Sequence, residues 1–112
     1  MTLSLRRVIL FVDDLAKMTD FYEKKLGLTI VGREEDFIDF DAGGGCRLAL
    51  HSGVSNPGRT KVCFYAADVA KARQELIDRG VKMGKPPAPS DSPQLCDGKD
   101  PEGNPFQISN RK

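Results

Sequence analysis

His51 is the only imidazole in the chain, so chemistry that needs a side chain titrating near neutral pH rests on it alone. With an ordinary pKa of about 6.5 it could act as a general base, while a strand-end histidine facing water is the blander use of the same residue. Cys63 stands two residues after Lys61, whose charge would favour the thiolate; the competing reading is a small core filler. Tyr65, two residues further on, is the second candidate for acid–base work. Cys46, Cys63 and Cys96 are odd in number, widely spaced and without a Cys-x-x-Cys pair. That pattern argues against a disulfide framework and against a thiolate zinc site, and it fits a reducing cytoplasm.

The bulk numbers narrow the partners. A chain of 112 residues suits one ordinary domain, or two half-size units that share a core. Lys and Arg total 17 against 16 Asp and Glu, a net charge of +1, so no global field draws in nucleic acid or an anionic membrane. The apolar run Val8 to Val12 is too short for a signal peptide or a membrane span and reads as a buried strand. Small molecules and a second copy of the chain are the partners that remain.

The elements that would position these residues repeat. Arg6 to Val12 is strand-like and ends at Asp13-Asp14, with Asp14 placed to cap a helix; Leu15, Met18, Phe21, Tyr22 and Leu26 then form a helical stripe of about three turns, stopped by Gly27. Leu28 to Val31, Phe37 to Phe40 and Cys46 to Leu50 read as strands, separated by the acidic turn Glu34-Glu35-Asp36 and by Gly43-Gly44-Gly45. Residues 52–59, with Gly53, Asn56, Pro57 and Gly58, are the one plausible linker. Lys61 to Ala66 then restarts the pattern, with Asp68 as cap, Val69, Ala72, Leu76 and Ile77 as the helical stripe and Gly80 as the stop. Val81 to Met83, Gln94 to Asp97 and Asn104 to Ser109 are the remaining strands, with a Pro-rich stretch, Lys85 to Pro93, that serves as a lid or as an ordinary surface loop.

Asp68 follows Asp14 by 54 residues, and at that offset Leu15 meets Val69, Ala16 meets Ala70 and Lys17 meets Lys71. The stops Gly27 and Gly80 are 53 apart, and each is followed by an apolar residue. Agreement of cap, helix length and stop implies a duplicated module, residues 1–52 and 60–112 within one 1–112 domain.

The stretches Val8-Ile9-Leu10-Phe11-Val12-Asp13-Asp14-Leu15, Phe21-Tyr22 and Leu26-Gly27-Leu28 resemble the vicinal oxygen chelate superfamily, which includes glyoxalase I, bleomycin-resistance proteins and extradiol dioxygenases. Asp100-Pro101-Glu102-Gly103-Asn104-Pro105-Phe106 resembles that family's turn before its last strand. The resemblance implies an α+β fold of two paired βαβββ modules, curved mixed sheets around a cleft with helices on the outer face, and a homodimer.

Alternation along strands then divides the residues. Arg7, Ile9 and Phe11 are expected toward the cleft, with Val8, Leu10 and Val12 under the helix. Lys61, Cys63 and Tyr65 are expected toward the cleft in the second copy, with Pro105, Gln107 and Ser109 beside them on the last strand; either Phe37 or Phe40 adds an aromatic wall. Metal-dependent members resembling this chain would carry His at positions 7 and 61, Glu at 107 and another Glu near 49. This sequence has Arg7, Lys61, Gln107 and Ala49, with His51 on the same face as Ala49. Protonated Arg and Lys offer no lone pair. No metal or other cofactor is therefore expected.

Arg7 and Lys61 could hold an anionic group of a ligand in the metal's place, or could form salt bridges with Asp39 or Asp41, which is the commoner use of such positions. The expected function is metal-independent binding of a small molecule, anionic or aromatic. The alternative is a glyoxalase-type lyase or isomerase, metal-dependent or using His51 or Tyr65 as base.

Overall fold

Asp14 and Asp68 start two helices in the same way: each has extended backbone and accepts, through Oδ1, the backbone N–H three residues on, from Lys17 and Lys71, at 3.0 Å. This satisfies one of the donors that a helix N-terminus otherwise leaves orphaned. The structure, a computed structural model, describes residues 5–57 and 60–111. The chain divides into two compact units, Met1–Asn56 and Pro57–Lys112, and the boundary falls in the expected linker, whose Gly58 and Arg59 lie outside the described residues.

The first unit runs β1 (Arg7–Val12), α1 (Leu15–Asp20), β2 (Thr29–Glu34), β3 (Phe37–Asp41) and β4 (Arg47–Ser52), with strands in the order β1-β4-β3-β2. β1 pairs parallel with β4, and the other neighbours are antiparallel, so the sheet is mixed. Leu10, Val12, Ile38, Phe40, Leu48 and Leu50 are buried with Met18, Phe21 and Tyr22 of the helical segment, and the Tyr22 ring lies 6.3 Å from that of Phe40. The sheet's other face is left for the polar and aromatic residues of the strands.

The helical segment is not uniform. After Asp20 it widens into a π-helical turn, Phe21–Lys25, closed by the Leu26 N–H donating to the Phe21 carbonyl at 3.2 Å. The cause is one residue of length: cap to stop glycine spans 13 residues in the first copy and 12 in the second. A single extra residue inside a helix winds most simply as a π turn. Gly27 and Gly80 then take φ of 76° and 85°, the left-handed conformation that ends a helix cheaply only at glycine.

The second unit repeats the order as β5 (Val62–Tyr65), α2 (Val69–Asp78), β6 (Lys82–Met83), β7 (Leu95–Lys99) and β8 (Pro105–Ser109), with strands β5-β8-β7-β6 and β5 parallel to β8. β6 stops after two residues, and the Pro-rich stretch stands where the outer half of β2 stands in the first unit. The core changes size in compensation. Phe40 opposite Leu48 in the first sheet corresponds to Gly98 opposite Phe106 in the second. A Cβ on Gly98 would lie 2.6 Å from Phe106 Cζ, so glycine leaves the space that the larger partner fills.

Ser109 departs from expectation. It is buried rather than open, with its Oγ accepting the Arg111 N–H at 3.0 Å.

Candidate functional site

Register places the open face of the first sheet in three rows: Arg7, Arg47 and Asp41; then Ile9, Ala49 and Asp39; then Phe11, His51 and Phe37. Strands lie about 4.8 Å apart, so Asp39 on β3 is roughly 10 Å from β1. Arg7 nevertheless reaches it across β4, donating from Nε to Oδ1 at 3.1 Å and from Nη2 to Oδ2 at 2.9 Å. Ala49, which lies between them in register, is fully buried and presents only a methyl group in the path of the longer side chain. The Arg7 guanidinium carbon also sits 5.9 Å from the Phe37 ring centroid, within cation–π range.

The aromatic row is continuous. Phe11 lies 5.3 Å from the His51 ring and Phe37 lies 6.1 Å from it, while Ile9 and Phe11 are half exposed. Phe37, and not Phe40, supplies the aromatic wall on this face. His51 Nδ1 is 2.8 Å from the Ser52 carbonyl oxygen, which can only accept, so the neutral ring carries its proton on Nδ1 and turns Nε2 toward Asp36 Oδ2 at 3.9 Å. A carboxylate thus faces the imidazole, though beyond hydrogen-bond reach.

The second sheet builds the same diagonal with other residues. Its row Cys63, Gln107 and Asp97 matches Ile9, Ala49 and Asp39, and Lys61 crosses to Asp97 Oδ2 at 3.0 Å. Gln107 fills the place Ala49 leaves open: its Nε2 donates to Asp97 Oδ1 at 3.0 Å, and its Oε1 accepts from Cys63 Sγ at 3.6 Å. Partial desolvation of Asp97 acts to raise its pKa, but the hydrogen bonds from Gln107 and Lys61, with the Lys61 charge, outweigh it and hold the carboxyl below its usual range. Tyr65 is exposed and opposite Ser109. Lys61 therefore pairs with Asp97, a residue outside the expected pair of Asp39 and Asp41.

The chain matches the model of the Glyoxalase/Bleomycin resistance protein/Dioxygenase superfamily over residues 4–108. It belongs to that superfamily. Among solved structures it is similar to an integron cassette protein from the mobile metagenome of V. cholerae, at 26% identity and TM-score 0.77, covering 97% of this chain and 96% of that one. A possible glyoxalase from Bacillus cereus is 25% identical with TM-score 0.77, over 96% and 99% of the two chains. TnmS3, an antibiotic binding protein from Streptomyces sp. CB03234, shares the fold at 21% identity and TM-score 0.84, over 97% of both. No curated protein matches.

The superfamily's metal does not fit this donor set. The four matching positions hold a guanidinium engaged by Asp39, a buried methyl, an ammonium engaged by Asp97, and an amide whose oxygen and nitrogen are both taken. Gln107 Oε1 is the only neutral oxygen among these positions, and Gln107 shares Asp97 with the Lys61 ammonium. Among the described residues no three His, Cys, Asp or Glu side chains come together to hold an ion.

Arg47 is the residue that sequence reasoning missed. It opens β4 directly opposite Arg7, with Nη1 3.7 Å from the same Asp39 Oδ2. A cross-strand pair of like charges is unfavourable unless a carboxylate lies between them, and this was the available signal. On the helix face of the same unit, a groove of about 500 Å³ is lined in part by Leu15, Thr19, Glu23, Arg33 and Glu35. None of the site residues expected from sequence lies there.

Proposed function

We propose that this protein is a metal-independent small-molecule-binding member of the superfamily, using the open sheet faces around Arg7, Ile9, Phe11, His51 and, in the second unit, Lys61, Cys63, Tyr65 and Gln107. The observation that carries this reading is that Arg7 and Lys61, at the metal-ligand positions, each close on a carboxylate of the same sheet. Cations there have taken over the structural place of a metal without its Lewis acidity. Half-exposed Ile9, Phe11 and Tyr65 leave apolar surface for a ligand or for a second copy, and a homodimer in a reducing cytoplasm completes the proposal. The antibiotic binding described for TnmS3 is a use of this fold of the same kind.

A thermal-shift screen with a chelator present tests it, because a ligand bound only to the folded state must raise the melting temperature. Shifts that survive chelator support the reading. Turnover of a hemithioacetal that requires added nickel or zinc would replace it with the glyoxalase-type alternative.

A further inference from the structure

Asp39 serves two guanidinium groups and satisfies one. Both of its oxygens accept from Arg7, while Arg47 Nη1 stays at 3.7 Å, beyond hydrogen-bond distance. Arg47's other cross-strand neighbour, Asp41, offers no substitute: its Oδ1 accepts the Gly43 N–H at 2.9 Å, and among the described residues it forms no ion pair with Arg47. The Arg47 side chain is 39% exposed, and its guanidinium is held by charge, with no hydrogen bond from its donors among the described residues. Arg7 and Arg47 stand with Asp39 and Asp41 beside the Phe37 ring and on the same face as Phe11 and His51, and of the two cations only Arg7 has its donors taken by a carboxylate.

The internal repeat provides a control. Where the first unit has Arg7, Arg47 and Asp41, the second has Lys61, Pro105 and Lys99, and Asp97 there meets a single cation and an amide. The crossing ion pair is common to both units and belongs to the fold. The second guanidinium belongs to the first unit only.

We infer that the ligand of this face is an aromatic carboxylate, its carboxylate received by the free donors of Arg47 and its ring laid against Phe37, Phe11 and His51. A guanidinium with unused planar donors is suited to bidentate capture of a carboxylate, and the aromatic row supplies area for the ring. This inference rests on the small-molecule-binding reading and names the ligand class.

Benzoate, phenylacetate and 3-phenylpropionate, each paired with its amide, test it by calorimetry and thermal shift on the full chain. At least one acid should bind at least 10-fold more tightly than its amide. Arg47→Gln should abolish that difference in a protein that still unfolds cooperatively, and Arg47→Lys should restore part of it. Equal binding of acid and amide, or a preference that survives Arg47→Gln, overturns the inference and leaves small-molecule binding intact. Failure of every acid to bind also overturns it, and metal-requiring turnover would remove the reading beneath it.

Discussion

Arg7 and Asp39 join the outermost strand of the first sheet to the second strand over by two hydrogen bonds, of 3.1 and 2.9 Å, across a residue reduced to alanine. Lys61 and Asp97 repeat the span in the second sheet at 3.0 Å. The two pairs differ in burial, which sets what each contributes. The Asp39 side chain is 9% exposed, whereas Lys61 and Asp97 are 45% and 48% exposed.

Asp39→Ala should accordingly destabilise the protein by about 1.5–3 kcal/mol, the range for hydrogen bonds to charged groups, since it strips a shared partner from two arginines. Asp97→Ala should cost about 1 kcal/mol or less, as exposed ion pairs do. Urea unfolding of both variants checks the order; equal losses would contradict the difference in burial.

Acid should act through Asp97. A carboxylate whose pKa is depressed on folding contributes stability that is fully present above its unfolded pKa, about 3.9, and that fades as pH falls through the lower folded value. Lys61→Met should therefore lower the urea midpoint at pH 6, with the gap to the parent protein shrinking toward pH 2.5. A gap that stays constant over that range would show that Asp97 is not the group lost.

Gly98→Ala should cost about 1–3 kcal/mol, because the new methyl would overlap Phe106 and Met83 in a packed interior. Adding Phe106→Leu should recover part of the loss by reproducing the small partner that Leu48 is to Phe40. A non-additive double-mutant cycle is the expected signature, and simple additivity would contradict the size exchange between the units.

The thiols should react in order of exposure. Cys63 is exposed and Cys96 is buried, and burial pushes the Cys96 thiol up against the opposing influence of Arg73. A chromogenic disulfide reagent should label Cys63 in the native protein and reach Cys96 only on unfolding.

Much of the frame was legible because it depends on local rules. Caps at Asp14 and Asp68 and stops at Gly27 and Gly80 are chemical necessities of helix ends, and alternation alone places Arg7, Ile9 and Phe11 on one face. What escaped depends on register. The cap offset of 54 holds through β1 and β5, but β3 and β7 are displaced by 58, so a ruler laid on the caps does not bring Asp39 onto Asp97. Arg47 escaped for the same reason, since its pairing with Arg7 exists only once β1 lies parallel to β4. The π turn at Phe21 was present in the sequence as one surplus residue, although a periodic stripe does not show where such a residue is absorbed.

The most direct measurement is calorimetric titration of nickel and zinc into chelator-treated protein, alongside metal analysis of the protein as purified. With Arg7 and Lys61 closed on their carboxylates, neither ion should bind stoichiometrically at the sheet faces, and the melting temperature should not respond to chelator. One ion per chain, bound tightly and lost in Gln107→Ala, would contradict the proposal that cations have replaced the metal.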